Sequence, residues 1–151
     1  MSREDFLAER RIAVLSTEDP DGLPYLNAIW FAYEDGAFLV PTGGTSRKAR
    51  NARERPRAAI VVDARGPAFR GVAASGPIEI VEGDEALALN ARIHRRYITE
   101  QGMAEPDVGG LLTDGDDVTL RLVPERWQEW DLEPFFGTRL GDPRLAEPLA
   151  P

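Results

Sequence analysis

The chain has 151 residues, 42% of them hydrophobic, which suits one globular domain with a real core, because a domain of this length hides roughly two-thirds of its unfolded surface. The absence of cysteine excludes disulfides, thiolate nucleophiles and cysteine zinc sites, and a single histidine, His94, leaves neither a His-rich metal centre nor a Ser-His-Asp triad to be expected. A net charge of −8 argues against a general nucleic-acid coat, and without a signal-peptide pattern or a run long enough to span a membrane the expectation is a cytoplasmic protein.

Ser2 is placed to cap a short first helix in which Phe6 and Leu7 turn inward. Residues 12–17 then read as a strand. Pro20, Asp21 and Gly22 signal a reversal into a second strand over residues 25–33, with Leu26, Ala28, Trp30 and Ala32 on one face and Asn27, Ile29 and Phe31 on the other, both faces substantially covered. Asp35-Gly36 predicts a tight turn into a third strand at 37–40.

Residues 40–57 follow, a strand, a turn and a helix start. The apolar run ends at Val40, breaks at Pro41, Gly43 and Gly44, and offers Thr45 or Ser46 as the N-cap of a basic helix closed by Pro56. Six basic residues, Arg47, Lys48, Arg50, Arg53, Arg55 and Arg57, stand against one acid, Glu54, giving the segment a charge of +5 inside an acidic chain. An anion is expected there, since a helix start presents unpaired N–H groups and the positive end of the helix dipole. The plainer reading is a capped surface helix with solvated arginines.

Residues 58–63 form a short apolar run of the kind a buried central strand shows. Arg65, Gly66 and Pro67 break it. A long strand pattern runs over 69–81, interrupted by Gly71, Gly76 and Pro77, which suggests a bulge or sharp coil at a barrel corner. Residues 83–99 read as the clearest helix, with Ala86, Leu89, Ile93 and Tyr97 on one face and His94 one position off that stripe, read as structural or solvated. A loop at 109–117 and a final strand at 118–124 precede Trp127 and Trp130, a pair that reads as packing against the same subunit or a partner, with ligand covering as the alternative. A domain over 1–134 with a partly loose tail at 135–151 is the expected organisation.

The order predicts a mainly β fold with helices: a six-stranded antiparallel split β-barrel with helices at its rim. βαβ alternation is missing, as are GxGxxG and GxxxxGK[ST], which counts against dinucleotide-binding and P-loop sites.

Three segments together, GLPYLNAIWF at 22–31, TGGTSRKARN at 42–51 and RERPR at 53–57, resemble the FMN-binding split barrels of the pyridoxamine 5′-phosphate oxidase type, and most closely their flavin- and deazaflavin-dependent oxidoreductases, including the F-420-dependent branch. The likeness covers about residues 5–131, and its most specific part is Ser46-Arg47-Lys48 with Asn51 one turn on. The resemblance implies a homodimer whose cofactor lies between subunits, with Thr45, Ser46, Arg47 and Lys48 on the phosphate and Arg50, Arg53 and Arg57 as supporting cations. It implies that Asn27, Ala28, Ile29 and Trp30 line the ring, and that Val40, Pro41 and Thr42 meet its edge. The second strand carries no cation where true pyridoxamine-phosphate oxidases have an arginine and a lysine, so the implied cofactor is F-420 or FMN and the implied substrate is another small, planar molecule. The implied activity is hydride transfer. A non-catalytic flavin or deazaflavin carrier or sensor is the alternative, and a single-stranded nucleic-acid binder is disfavoured by the net charge.

Overall fold

In the computed structural model, which describes residues 1–64 and 70–150, the chain opens on a capping box. Ser2 Oγ accepts from Asp5 N at 3.0 Å while the Asp5 carboxylate accepts from Ser2 N at 3.2 Å, fixing the start of α1 (Arg3–Ala8) and driving Phe6 and Leu7 into the core. From there β1 (Ala13–Glu18) pairs with β2 (Pro24–Ile29) through a turn that Gly22, at φ +86°, makes possible. Asp35 and Gly36, both at positive φ, close the hairpin between β3 (Ala32–Glu34) and β4 (Ala37–Gly43), as an Asp-Gly pair should.

α2 (Arg47–Glu54) leads into β5 (Arg57–Asp63), which lies between β1 and β6 (Arg70–Val81) as a central strand, burying alternate residues. The expected break at 65–67, and Phe69 at the head of the long strand, lie outside the described residues. Next come α3 (Gly83–His94), α4 (Glu100–Ala104), a 3-10 turn at Gly109–Leu112, β7 (Asp117–Leu122), β8 (Arg126–Asp131) and α5 (Glu133–Phe136) in the tail.

These strands form an open, curled antiparallel sheet, half a barrel, in the order β2-β1-β5-β6-β7-β4-β3 with β8 added beside the first half of β6. The corner is β6 itself. Up to Ser75 it is paired with β5 and β8, and from Ile78 onward with β7; Gly76 and Pro77 stand at the handover. A Cβ on Gly76 would lie 2.1 Å from the carbonyl oxygen of Val123, so only glycine lets the two backbones approach. Phe31, Phe38, Leu15, Val62, Leu120 and Leu122 fill the concave side.

Three expectations need correction. Among the described residues the sheet has eight strands rather than six, because residues 25–33 split into β2 and β3 and because the two-tryptophan segment pairs as β8. The split has a tertiary cause: the Tyr97 hydroxyl donates to Arg11 O at 2.7 Å, lies 3.1 Å from Phe31 O, and accepts from Phe31 N at 3.3 Å, so a side chain takes the backbone groups a ladder would have used. Trp127 packs on Phe38 and Tyr33 under the Arg3 guanidinium, and Trp130 lies against Gly71, where a Cβ would come within 2.0 Å of the indole.

The second correction concerns β2, which is not covered on both faces. It is an edge strand, and Leu26 is 63% exposed. The third shortens the long helix: α3 ends at His94, a turn follows, and Thr99 Oγ1 accepts from Gly102 N at 3.0 Å to start α4. Among the described residues no helix is long and apolar enough to cross a membrane.

Candidate functional site

Between β2 and the end of β4, where the sheet stays open, lies a cleft of about 610 Å³, within the usual size range for small-molecule sites. Asn27, Ala28, Ile29 and Trp30 form one wall, with Pro41, Thr42 and Gly43 at the end of β4 and Lys48 reaching in from α2. The remaining wall comes from His94 at the end of α3, from Leu111 and Leu112 of the 3-10 turn, and from Asp114 and Asp117. Trp30 is held flat by stacking on Tyr97, centroids 5.0 Å apart and planes 4° from parallel.

Ser46 is the residue that caps α2. Its Oγ accepts from Ala49 N at 3.2 Å and from Thr42 Oγ1 at 2.9 Å, tying the helix start to β4; the preceding amides of α2 have no intrahelical acceptor. Gly44 is needed for contact rather than for dihedral freedom, since a Cβ there would sit 2.3 Å from Asp116 O. Lys48 Nζ donates to Asn27 Oδ1 at 2.7 Å, and the ammonium is half-buried against that neutral partner. Burial pushes its pKa below the ordinary lysine value, and among the described residues no carboxylate pairs with it.

Its neighbour Arg47 turns elsewhere. Two guanidinium nitrogens bind the Asp19 carboxylate, Nε to Oδ1 at 2.9 Å and Nη2 to Oδ2, with the guanidinium 4.5 Å from the Tyr25 ring centroid. The Asp19 carboxyl is held below its ordinary value by Arg47 first and then by the Asn51 amide, which donates to it at 2.9 Å and to Thr17 Oγ1 at 3.2 Å. Arg53 is engaged by Gly44 O and Glu82, Arg55 by Glu54, Glu18 O and Asn51, and Arg57 by Glu125. Of the six cations in this segment, Lys48 and Arg50 are the two without a carboxylate partner among the described residues. The local +5 is therefore largely answered by acids from elsewhere in the chain.

Seven of the fifteen sequence-derived site residues, Asn27, Ala28, Ile29, Trp30, Pro41, Thr42 and Lys48, line the cleft. Thr45, exposed, and Ser46 stand at the head of α2 beside it. Arg47, Arg50 and Asn51 line a separate hollow of about 370 Å³ with Asp19, Pro20, Asp21 and Glu54. Val40 is fully buried in the core, and Arg53 and Arg57 lie on the surface.

Sequence reasoning missed the far wall. His94 is 5% exposed, its Nδ1 is buried without a hydrogen-bond partner among the described residues, and its ring meets Trp30 edge-on with centroids 6.1 Å apart. Burial lowers its pKa, with the nearby Asp117 carboxylate pulling the other way; burial in turn raises the pKa of Asp117. Position one step off a helical stripe gave no hint of this, because the helix turns the residue into a cleft that only the tertiary fold creates.

The family model for pyridoxamine 5′-phosphate oxidase matches residues 3–131. No curated protein sequence matches the chain. Among solved structures, a conserved hypothetical protein from Mycobacterium tuberculosis shares 34% identity over 87% of this chain and 85% of its own, with a TM-score of 0.71. A protein solved as an F420 reductase shares 26% identity over 85% of this chain and 97% of its own, TM-score 0.68. HutZ, described as a heme storage protein of Vibrio cholerae, is alike in fold alone, at 23% identity over 84% of this chain and 89% of its own, TM-score 0.63. With its β-structure curled around an open seam and nearly the whole fold matched, the chain belongs to the pyridoxamine 5′-phosphate oxidase family.

Proposed function

We propose that this protein is an oxidoreductase that holds a deazaflavin, F-420, or FMN in the cleft and passes hydride between it and a small planar substrate. The observation that carries the reading is Lys48: a half-buried ammonium at the cleft wall, paired among the described residues only with a neutral amide, next to the start of α2. A phosphate there would give the ammonium a counter-charge and accept from Ser46 and the first amides of the helix.

The residues fit such a cofactor in part. Lys48, Ser46 and Thr42 suit a phosphate, and Trp30 with Asn27, Ala28, Ile29 and Pro41 suits a flat ring. Arg47, closed on Asp19, does not join that grip, and Arg50, which lines the second hollow and has no carboxylate partner among the described residues, would meet an acidic tail such as that of F-420. When bound, the cofactor supplies the hydride chemistry, and the chain supplies orientation, exclusion of water and electrostatics.

Two copies would complete the site. The edge strand β2 leaves Leu26 exposed and Leu23, in the turn before it, equally so, beside an open cleft, an arrangement that fits pairing with a second copy. The test is the absorbance spectrum and mass of any ligand released from purified protein, followed by titration with FMN and with F-420. Tight binding of either, with the reduced form consumed by an added acceptor, supports the oxidoreductase. Binding without turnover makes it a carrier, and binding of neither ends the reading.

A further inference from the structure

His94 has no part in the cofactor grip just described, yet it is the most confined polar group of the cleft. It is 5% exposed, it lines the cavity, and its Nδ1 is sealed from solvent with no partner among the described residues. The groups that face it are Trp30, edge-on at 6.1 Å between centroids, and the Asp117 carboxylate, which acts on it without a hydrogen bond.

That geometry decides the ring's protonation. A proton on Nδ1 would be a buried N–H without an acceptor, the rarer and costlier kind of orphan, and an imidazolium would add a buried charge to the same defect. The proton therefore sits on Nε2. With Nδ1 sealed, the Nε2 edge is the one left to face the cleft, as a neutral N–H donor with no acceptor among the described residues.

We propose that His94 donates this Nε2–H to the substrate, to a carbonyl-type oxygen conjugated with the carbon that takes up hydride. The inference rests on the oxidoreductase reading and adds to it a residue of this chain that meets the substrate's oxygen. His94, Leu111, Leu112, Asp114 and Asp117 come from α3, the 3-10 turn and the entry to β7 rather than from β2, β4 and α2, the elements proposed to hold the ring; the two walls meet where His94 lies edge-on to Trp30 and where Asp117 pairs with Gly43.

In the reducing direction the conjugated carbon gains a hydride, two electrons and one proton, from the reduced flavin or deazaflavin. The displaced π pair ends as negative charge on the oxygen, where the Nε2–H stabilises it, and a proton from water completes the two-electron reduction. His94 ends as it began. A neutral imidazole is a poor acid, so its contribution is a preorganised donor of the oxyanion-stabilising kind rather than proton release.

The single histidine makes the test direct, because ¹⁵N-labelled protein gives one imidazole signal pair. The ligand-free protein is expected to show a protonated Nε2 and a bare Nδ1 from pH 7.5 to 8. Adding oxidised FMN or F-420 should leave the Nε2–H resonance nearly unmoved, and adding 2-cyclohexen-1-one or menadione to the loaded protein should shift it downfield. His94→Phe, which keeps a ring but loses the donor, should lower hydride transfer to these acceptors about tenfold, the scale of one hydrogen bond, while His94→Gln, whose amide nitrogen stands in for Nε2, keeps it within about threefold. Cofactor titration by absorbance should be the same in all three proteins.

A protonated Nδ1, a shift produced by the cofactor alone, no shift with either acceptor, or equal losses in the two variants would each overturn the assignment while leaving cofactor binding intact. Failure of FMN and F-420 to bind the unmutated protein would overturn the oxidoreductase reading, and this inference with it.

Discussion

Lys48 Nζ reaches Asn27 Oδ1 at 2.7 Å, joining α2 to the edge strand β2 along the wall of the open seam. Arg47, one residue earlier, faces about 100° away around the helix and closes on Asp19 instead. Two adjacent cations thus take different work. One braces the turn after β1, and the other is left half-buried with a neutral partner.

Lys48→Ala should weaken binding of FMN or F-420 by about 1.5–3 kcal/mol, the scale of a hydrogen bond to a charged group. Arg47→Ala should weaken it far less, because the guanidinium is already engaged by a carboxylate of its own chain. Equilibrium titrations of the two variants decide the matter, and equal losses would contradict the division of roles between them.

Stability should carry a histidine signature in mild acid. His94 is neutral in the fold and its pKa is lowered from 6.5 by burial, so as pH falls below 6.5 the unfolded chain takes up a proton before the folded one does. The unfolded state then binds more protons, and stability declines between 6.5 and the lower folded value. Urea midpoints at pH 7.5 and 5.5 should therefore fall more for the unmutated protein than for His94→Gln; parallel declines would show that the ring titrates normally.

Much of the fold could be read from local chemistry. Asp35-Gly36 made a hairpin, Ser2 and Ser46 made caps, and Gly76-Pro77 turned a corner, because each depends on residues within a few positions of itself. What escaped the sequence depends on partners far along the chain. The Tyr97 hydroxyl breaks a strand 66 residues away at Phe31, Asp19 claims Arg47 across 28 residues, and Glu125 claims Arg57 across 68. The same limit explains the candidate site. Asn27 and Lys48, 21 residues apart with β3 and β4 between them, were legible through the family resemblance rather than through local pattern, whereas the acids that answer the arginines, and the burial of His94, exist only once the sheet has curled.

Gly76→Ala should be among the most damaging single-methyl additions. The new Cβ would meet Val123 O at 2.1 Å and Glu125 N at 3.0 Å, both backbone atoms of the segment joining β7 to β8, so neither can rotate aside. Overpacking of this kind costs about 1–3 kcal/mol or more. Urea unfolding followed by tryptophan fluorescence should show a lower midpoint, and an unchanged one would mean that β6 bends more freely than its pairing implies.

Acid should loosen the turn after β1. The Asp19 carboxyl is held below 3.8 by Arg47 and Asn51, so its contribution is complete above that ordinary value and is lost as pH falls through the folded one. Asp19→Asn removes that dependence and leaves Arg47 without its counter-charge. The variant should be less stable than the unmutated protein at pH 7, with the two converging at strongly acid pH in urea titrations. A constant gap would assign the loss to packing.

The proposed dimer gives the last prediction. Leu26 on β2 is 63% exposed, so Leu26→Glu should change the stability of an isolated chain by less than about 0.5 kcal/mol. If a second copy covers that edge, the substitution buries a carboxylate in an apolar contact, and sedimentation should show the unmutated protein as a dimer and the variant as a monomer. Cofactor affinity should fall with the dimer, because a cleft completed by two copies loses one wall. Should the unmutated protein sediment as a monomer at micromolar concentration and still bind cofactor tightly, one chain suffices for the site, and the exposed leucines need another explanation.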